Sequence, residues 1–386
     1  MIACGCAECI EITEIVVTVR VNAEKVIDVF IVYGEDSLDG DDGMFSFEAT
    51  PHAGRVVFTV TSFYTYMPRL VTLDVVDGLS QMFVEVSLVT RPEPMTIDDA
   101  TKGGDLVVPS AGGQQSVASV QVPPGAFVNE NSEPVVGAVK VYVSYADPRN
   151  ETSLESAPAE FSYEDEEGET RLLQTFGVVT LFAEDSNGDP VYVRGKVKLT
   201  FDTEALGIEN DGEGKPDALL WVIDPAIGQW KKSGAMTNTG SERRRKRATN
   251  RAEGQTVIPR YVPYVNCDRP FLRGRLCSVV VYVFYGAEFS VPLSGERVSA
   301  FMIENGRFIG RTSGYTDADG KACLLVACGL EHIVKLESRE GVLVHPTHHL
   351  PPGFAVVNRT DGFSFNATLP ADRRHSAAGP VLRYSR

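Results

Sequence analysis

The feature that most constrains the fold of this chain is a two-residue alternation of apolar and polar side chains. It is clearest in residues 17–21, 139–143 and 197–201, where Val, Leu or Phe occupies every second position. An extended strand with this period has all its apolar side chains on one face, whereas a helix needs apolar residues three and four apart. No stretch of a dozen residues has the helical period. The sequence therefore predicts an all-β protein of stacked antiparallel sheets with little helix.

The chain is predicted to contain tandem β-sandwich modules, because its 386 residues exceed the size of one ordinary core. A weak internal repeat, in which the turns at 39–43 and 317–320 each enter a strand, resembles the prealbumin-like sandwich of carboxypeptidase regulatory domains. Residues 122–127 resemble the start of a ZU5-like module. The expected organisation is a prealbumin-like sandwich at 10–92, a ZU5-like β-rich module at 96–235, a flexible basic linker at 236–256 and a second prealbumin-like sandwich with disulfides at 257–370.

The strongest local signal is a run of basic residues inside the predicted linker. Subtilisin-like proprotein convertases need several consecutive basic side chains on an extended, accessible backbone. The run and the residue that follows it meet this requirement and predict cleavage after Arg247: Arg244, Arg245, Lys246, Arg247 and Ala248. The alternatives are a nuclear localisation signal and a solvated basic loop.

Charge and hydropathy exclude two classes of partner. The formal net charge is −16. Apart from the basic run 243–247, residues 243–386 carry only a mild surplus of basic residues, which does not resemble the footprint of a nucleic-acid-binding protein. The longest apolar stretches are far shorter than the roughly 18–20 residues of a membrane span. We therefore expect no nucleic-acid partner and no membrane insertion. The beginning of the chain does not read as a signal peptide, which predicts either a cytosolic protein or a missing upstream region.

Seven cysteines are present, an odd number. Cys323 and Cys328 are five residues apart, so on one strand they point to opposite faces and need different partners. Two disulfides formed with Cys267 and Cys277 are therefore expected, and buried free thiols in a cytosolic protein are the alternative. The early group, Cys4, Cys6 and Cys9, is expected to be the remnant of an upstream disulfide-rich module, because no second ligand pair supports a metal site.

Three Asn-x-Ser/Thr triplets in polar settings predict glycosylation at Asn150, Asn358 and Asn366. The cluster of His345, His348 and His349 lies among prolines and is interpreted as a solvated loop. The Asp-Gly turns at 39–43 and 317–320 do not fit the spacing of an EF-hand loop, so they are interpreted as ordinary turns. The sequence contains no catalytic motif, and the expectation is a non-enzymatic protein with no cofactor or metal.

Several segments, taken in order, resemble the middle and C-terminal part of the cartilage intermediate layer protein family. They are 137–148, 156–158, 173–177, 220–230, the basic run 243–247, and 319–323 followed by Cys328. The resemblance implies a secreted extracellular-matrix glycoprotein, processed at a basic site into two products and thought to modulate growth-factor signalling. It also implies cleavage after Arg247 and disulfide roles for Cys277, Cys323 and Cys328. The thrombospondin and immunoglobulin-like modules of that family are missing upstream, so the chain is expected to be a fragment or an incomplete gene product.

The leading hypothesis is thus an extracellular, structural or interaction protein. Its expected partners are extracellular-matrix proteins or growth factors, together with the proprotein convertase. The first alternative is an intracellular ZU5-like adaptor in which the basic run is a localisation signal. The second is an accessory domain of a larger hydrolase.

Overall fold

The structure is a computed structural model. It describes residues 13–385, apart from 22–23, 26–27, 41–42, 63, 77, 110–115, 212, 240–250, 272–275, 286–290, 337–355, 360–361 and 369–380. Within these residues strands dominate, and helix is limited to a 3-10 turn (Ala100–Lys102), α1 (Glu151–Glu155) and α2 (Thr203–Leu206). The all-β, tandem-sandwich prediction is confirmed. None of the helices in the described part is long or apolar enough to span a bilayer.

The first module is a sandwich of two sheets. One sheet is built around the first strand, and the other has the order β4-β3-β6-β7. The alternation predicted at 17–21 is confirmed in this strand, where Ile15, Val17 and Val19 are completely buried. They share one core with Phe45 of a neighbouring strand in the same sheet and Phe58 of the opposite sheet. The strands are β1 (Thr13–Val21), β2 (Glu24–Lys25), β3 (Val29–Tyr33), β4 (Asp36–Asp39), β5 (Met44–Ala49), β6 (Arg55–Ser62), β7 (Arg69–Asp74) and β8 (Gln81–Ser87).

The central module contains one continuous ladder of strands. The order is β10-β11-β17-β20-β19-β18-β21-β15-β13-β9. Its strands are β9 (Met95–Ile97), β10 (Gly104–Pro109), β11 (Ser116–Val122), β12 (Phe127–Val128), β13 (Val139–Ala146), β14 (Ser162–Glu164), β15 (Thr170–Glu184), β16 (Pro190–Val193), β17 (Lys196–Asp202), β18 (Leu219–Asp224), β19 (Gln229–Asn238), β20 (Arg251–Val257) and β21 (Tyr264–Pro270).

The third module is again a pair of sheets, one around its first strand and one with the order β25-β24-β27-β29-β28. Val281, Val298 and Val326 form part of the core between them. The strands are β22 (Leu276–Tyr285), β23 (Val291–Pro292), β24 (Arg297–Glu304), β25 (Arg307–Tyr315), β26 (Lys321–Ala327), β27 (Glu331–Leu336), β28 (Val356–Arg359), β29 (Gly362–Thr368) and β30 (Val381–Ser385).

The first and third modules share one strand arrangement, as the weak internal repeat in the sequence predicts. In the first module β1 pairs antiparallel with β5 and parallel with β8. In the third module β22 pairs antiparallel with β26 and parallel with β30. The two Asp-Gly turns that revealed the repeat directly precede the equivalent strands, β5 and β26. The repeat is therefore a repeat of topology.

In several tight turns the side chain of an aspartate caps backbone amides of the turn. In the turn before β26, Oδ1 of Asp317 accepts hydrogen bonds from the backbone amides of Asp319 (3.0 Å) and Lys321 (2.9 Å). Gly320 follows with φ of 71°, a conformation that suits glycine. The same arrangement recurs at Asp165, Asp185 and Asp211. At these turns the aspartate side chain caps the backbone. At 317–320 this agrees with the prediction of an ordinary turn.

The predicted linker 236–256 differs from the structure at both of its ends. Residues 236–238 belong to β19, and residues 251–256 belong to β20. The two strands pair through Met236↔Gly254, Thr237↔Glu253 and Asn238↔Ala252. The next strand, β21, pairs with β15 and β18 of the central module. The central module therefore extends to about residue 270, and the third module begins near β22 rather than at residue 257. Strand β20 consists mainly of small and polar residues. Because it has few apolar side chains, its sequence predicts a linker.

Candidate functional site

The predicted cleavage residues Arg244, Arg245, Lys246, Arg247 and Ala248 lie outside the described residues, within 240–250. The structure does describe both ends of this segment. The amide of Thr239 donates a hydrogen bond of 2.9 Å to the carbonyl of Arg251. The basic run therefore connects two neighbouring, hydrogen-bonded strands of the central module.

The three predicted glycosylation sites occupy different settings. Asn150 is exposed and caps α1, where its side chain accepts a hydrogen bond of 2.9 Å from the amide of Ser153. This cap uses the side-chain oxygen, whereas a glycan attaches to the nitrogen of the same amide. Asn358 lies in β28 and Asn366 in β29, two strands that pair with each other.

One disulfide is present among the described cysteines, and it joins Cys277 to Cys328 across 51 residues of the third module. Cys267 and Cys323 are free thiols, so their predicted disulfide roles are corrected by the structure. Cys267 is buried in the central core on β21, whereas Cys323 is exposed on β26. The prediction that Cys323 and Cys328 face opposite ways agrees with their exposed and buried positions. Cys4, Cys6 and Cys9, like His345, His348 and His349, lie outside the described residues.

A cleft of about 1310 Å³ separates the first module from the central module. One wall is the outer face of β6, which contributes Val57 and Thr59, and the other is formed by Phe182 and Val191 of β15 and β16. The segment 258–263 forms part of the same lining. Large concave surfaces that combine apolar side chains with a few polar groups are characteristic of binding sites.

An arginine held between two tyrosines stands at one side of this cleft. The guanidinium carbon of Arg260 lies 4.6 Å from the ring centroid of Tyr192 and 5.1 Å from that of Tyr261. The two rings meet edge to face at 5.3 Å. Hydrogen bonds from Arg260 to the carbonyls of Asn129 and Glu130 fix the guanidinium. Burial, followed by the nearby Tyr261, raises the pKa of Tyr192 above its ordinary value.

At the junction between the two modules, Arg91 connects both walls. It forms an ion pair of 2.6 Å with Glu184 and lies 4.5 Å from the ring centroid of Phe182. It also donates hydrogen bonds to the carbonyls of Ser62 and Tyr66 in the first module. Because both charged side chains are nearly buried and the guanidinium has several acceptors, this ion pair orients the modules against each other.

A second contact fixes the first module to the central one. The hydroxyl of Tyr264 on β21 donates a hydrogen bond of 2.6 Å to the carbonyl of Pro68 and accepts one of 3.1 Å from the amide of Leu70. Burial raises the pKa of Tyr264 well above its ordinary value. The cleft therefore lies between modules that are joined through buried contacts.

The segment 173–177, which contributes to the family resemblance, forms a bulge in β15 opposite β21. Gly177 has φ of 132°, and a side chain there would overlap the ring of Tyr145, whose hydroxyl donates to the carbonyl of Phe176 at 2.5 Å. Thr175 donates a hydrogen bond of 3.0 Å to the side-chain oxygen of Asn266. This part of the resemblance is therefore explained by a structural requirement of the bulge.

Beside this bulge lies a fully buried carboxyl group. Asp268 accepts a hydrogen bond from the side-chain amide of Asn266. Burial raises the pKa of Asp268 well above its ordinary range and also raises that of the neighbouring Cys267 thiol. Both groups are completely buried, so a substrate cannot reach them.

The carboxylates of Asp165, Glu167 and Glu169 lie close together in the turn between β14 and β15. Asp165 and Glu169 both pair with Arg171, at 2.7 and 2.5 Å. The side chain of Asp165 also caps backbone amides of the same turn. The cluster is therefore accounted for by the hairpin that it closes.

The residues at and beside the cleft cannot be identified from the sequence. Arg91, Tyr192, Arg260 and Tyr261 belong to no motif, and they come together only because the modules pack. Pro259 and Pro263 on either side of Arg260 were the one available signal, because prolines around an aromatic residue mark an irregular, exposed segment.

No protein-family model matches the chain. Among solved structures, the Bacillus anthracis TIE protein is 12% identical and covers 97% of this chain and 51% of its own, with a TM-score of 0.17. A streptococcal ancillary pilin is 10% identical and covers 97% of this chain and 99% of its own, with a TM-score of 0.18.

Sequence relatives give a clearer result. Cartilage intermediate layer protein 1 of Mus musculus is 26% identical over 342 residues, which is 85% of this chain and 28% of the mouse protein. The Homo sapiens protein 1 is 25% identical over 341 residues, and the Mus musculus protein 2 is 26% identical over 318 residues. The chain thus spans little more than a quarter of the length of these relatives. The resemblance inferred from the order of short segments along the sequence is confirmed, and the chain is related to the cartilage intermediate layer proteins.

Proposed function

We propose that this chain is part of a secreted extracellular-matrix protein that acts by binding other proteins and is processed within the segment 240–250. The similarity to cartilage intermediate layer proteins carries the proposal and supports an extracellular location. The disulfide between Cys277 and Cys328 is consistent with an oxidising compartment.

Processing is proposed after Arg247, by a convertase of the subtilisin type. The supporting observation is that the basic run joins the ends of two paired strands, as a hairpin connection does. The test expresses the full coding sequence in animal cells and analyses the medium with and without a convertase inhibitor. We expect two secreted products that become one under the inhibitor. A single uncut band retained inside the cell would contradict the proposal and favour an intracellular adaptor.

A matched pair of arginine variants makes the same test specific. Arg247→Ala removes the residue before the proposed cleavage point, whereas Arg251→Ala removes an exposed arginine at the start of β20. We expect Arg247→Ala to abolish cleavage and Arg251→Ala to leave it unchanged. Equal cleavage of both variants would show that the basic run is not the site.

Glycosylation at Asn150 gives an independent test of secretion. Asn150→Gln removes both the acceptor and the helix cap, whereas Thr152→Ala removes the acceptor triplet and keeps the cap. We expect both variants to lose the same glycan mass from the secreted protein. An unchanged mass in Thr152→Ala would show that Asn150 carries no glycan.

The function proposed for the cleft is to bind a protein partner, either a matrix component or a growth factor. Tyr261 is 62% exposed beside Arg260 and Tyr192, and exposed tyrosines next to arginine are typical of protein interfaces. Binding is preferred to catalysis because the strongly perturbed groups Cys267 and Asp268 are inaccessible.

The cleft variant Tyr261→Ala is compared with Tyr64→Ala, which changes an exposed tyrosine outside the cleft lining. Both proteins are passed over immobilised matrix extract and a panel of growth factors. We expect Tyr261→Ala alone to lose binding, by about tenfold if it is a hot-spot residue. Equal binding by the two variants would place the interaction elsewhere.

A further inference from the structure

Cleavage between β19 and β20 would divide the strands of the central module between two products. The N-terminal product would keep β9 to β19, and the C-terminal product would begin shortly before β20 and continue through β21 into the third module. Both β20 and β21 lie inside the ladder of the central module, between strands of the N-terminal product.

The strand β20 is hydrogen-bonded on both sides. It pairs with β17 from Lys196↔Val257 to Asp202↔Arg251, and with β19 from Met236↔Gly254 to Asn238↔Ala252. Lys198 of β17 also forms an ion pair of 2.5 Å with Glu253. If β20 left, two neighbouring strands would expose unpaired backbone groups, which a folded protein avoids.

The strand β21 is bound in the same way in the other half of the ladder. It pairs with β15 on one side and with β18 on the other, where Leu219↔Asp268 and Val222↔Val265 mark the limits of the register. Arg269 adds a hydrogen bond of 2.8 Å to Gln174 and an ion pair of 3.0 Å with Asp217. The indole of Trp221 donates to the carbonyl of Asp268 at 3.3 Å.

The side chains of these strands complete both cores of the central module. Ala252, Val265 and Cys267 are fully buried with Phe201 and Leu220 of the N-terminal product. Val262 and Tyr264 pack in a second cluster with Trp221, Trp230 and Leu70. Separation of the products would expose both clusters to water, which costs about 25 cal/mol for each square ångström of apolar surface.

The observed disulfide does not cross the cleavage point. Cys277 and Cys328 both belong to the C-terminal product, and Cys267 is a thiol. Among the described residues, the contacts that hold the two products together are therefore backbone pairing, core packing and ion pairs.

We propose that the two cleavage products remain bound as one noncovalent complex, in which the C-terminal product supplies β20 and β21 as interior strands to the sheet of the N-terminal product. Each product is thus the partner of the other. The inference rests on the processing proposed above for its occurrence in an organism, but the interface itself is independent of the protease.

The test replaces residues 243–247 of the full chain with the recognition sequence of a site-specific protease. A matched protein carries the same sequence in place of residues 272–275, which connect β21 to β22. After cutting under reducing conditions, both are analysed by size-exclusion chromatography in increasing urea. We expect the 243–247 products to elute together at the volume of the uncut chain and to separate only when the central module unfolds. The 272–275 products should separate at lower urea, since no multi-residue ladder among the described strands crosses that cut.

Separate elution of the 243–247 products without urea would overturn the inference, and so would separation of both cut proteins at the same urea concentration. Two variants test whether strand β20 is responsible. Ala252→Asp places a charge on the buried face of β20 and should release the products, whereas Gln255→Asp on the exposed face should not. If Ala252→Asp fails to fold before cutting, the comparison of the two cut positions in the parent chain still decides.

A parallel digestion of the unmodified chain with a convertase separates this inference from the proposed function. Resistance to the convertase would refute processing and leave the result with the engineered site intact. Efficient cutting followed by separate elution would refute the complex and leave processing intact.

Discussion

Two short segments of this chain have similar compositions but different structural roles. The segment between β19 and β20 connects two strands that pair with each other inside one module, whereas the segment between β21 and β22 connects the central module to the third. Each contains one glycine and at least two arginines. The comparison shows that an arginine-containing composition with glycine marks a connection between strands but does not distinguish a hairpin connection from a boundary between modules.

The first prediction has the largest expected effect. It tests whether the residues that follow the segment between β19 and β20 belong to the core of the central module. Ile258 is buried in that core, and the preceding Val257 is 49% exposed. Ile258→Ala should lower the free energy of unfolding by about 2–5 kcal/mol, whereas Val257→Ala should change it by less than about 0.5 kcal/mol. Urea denaturation of the central module measures both. Equally small effects would mean that this part of the chain is not packed in the core.

The second prediction concerns the disulfide beyond the second segment. Replacing Cys277 and Cys328 with Ser should destabilise the third module by about 2–4 kcal/mol, because the disulfide closes a long loop in the unfolded chain. Hydrogen exchange should accelerate in β22 to β27 and remain unchanged in β17 and β20. Acceleration of β17 and β20 to the same extent would contradict a boundary between β21 and β22.

The third prediction uses the raised pKa of Asp268 on β21. Native Asp268 keeps its proton to a higher pH than the unfolded chain does, so unfolding releases a proton once the pH exceeds about 4, the usual pKa of an aspartate. The contribution of this group to the free energy of unfolding is fully present below that pH and is lost as the pH rises through the pKa of native Asp268. Asp268→Asn should remove this loss, so its stability should increasingly exceed that of the parent chain at higher pH. Parallel denaturation curves of the two proteins at every pH would contradict the burial of Asp268.

The last prediction concerns the reactivity of the two free thiols and involves no change in stability. A thiol reagent should label the exposed Cys323 in the native chain and should reach Cys267 only on unfolding, because burial both hinders access and raises the pKa of that thiol. Mass spectrometry of digested protein distinguishes the two. Rapid native labelling of Cys267 would mean that β21 is exposed.

Sequence reasoning found the strands that have one buried face. Val139, Val141 and Val143 and likewise Val197, Leu199 and Phe201 are buried at alternate positions, as predicted. The pattern is weaker in β15, where residues 172–181 are buried on both faces because modules pack on either side. It was misleading in β20, where Gly254 and Thr256 are buried without being large or apolar.

The cleft could not be predicted for a related reason. Arg91 pairs with a residue 93 positions away, and Tyr264 bonds to Pro68 at a separation of 196. Periodicity describes one strand at a time and contains no information on which modules touch. The family resemblance could be detected because it depends on short segments that follow one another in the family's order along the sequence. One of these segments, 173–177, forms a bulge that requires Gly177.

The central claim is that β20 and β21, on the far side of the basic run, are interior strands of the central module. Amide hydrogen exchange of the intact chain, followed by mass spectrometry, tests it most directly. We predict that peptides covering Arg251–Val257 and Tyr264–Pro270 exchange as slowly as those of β17 and β15, their partners in the ladder. Rapid exchange in these two peptides, with protection retained in β15 and β17, would contradict the account.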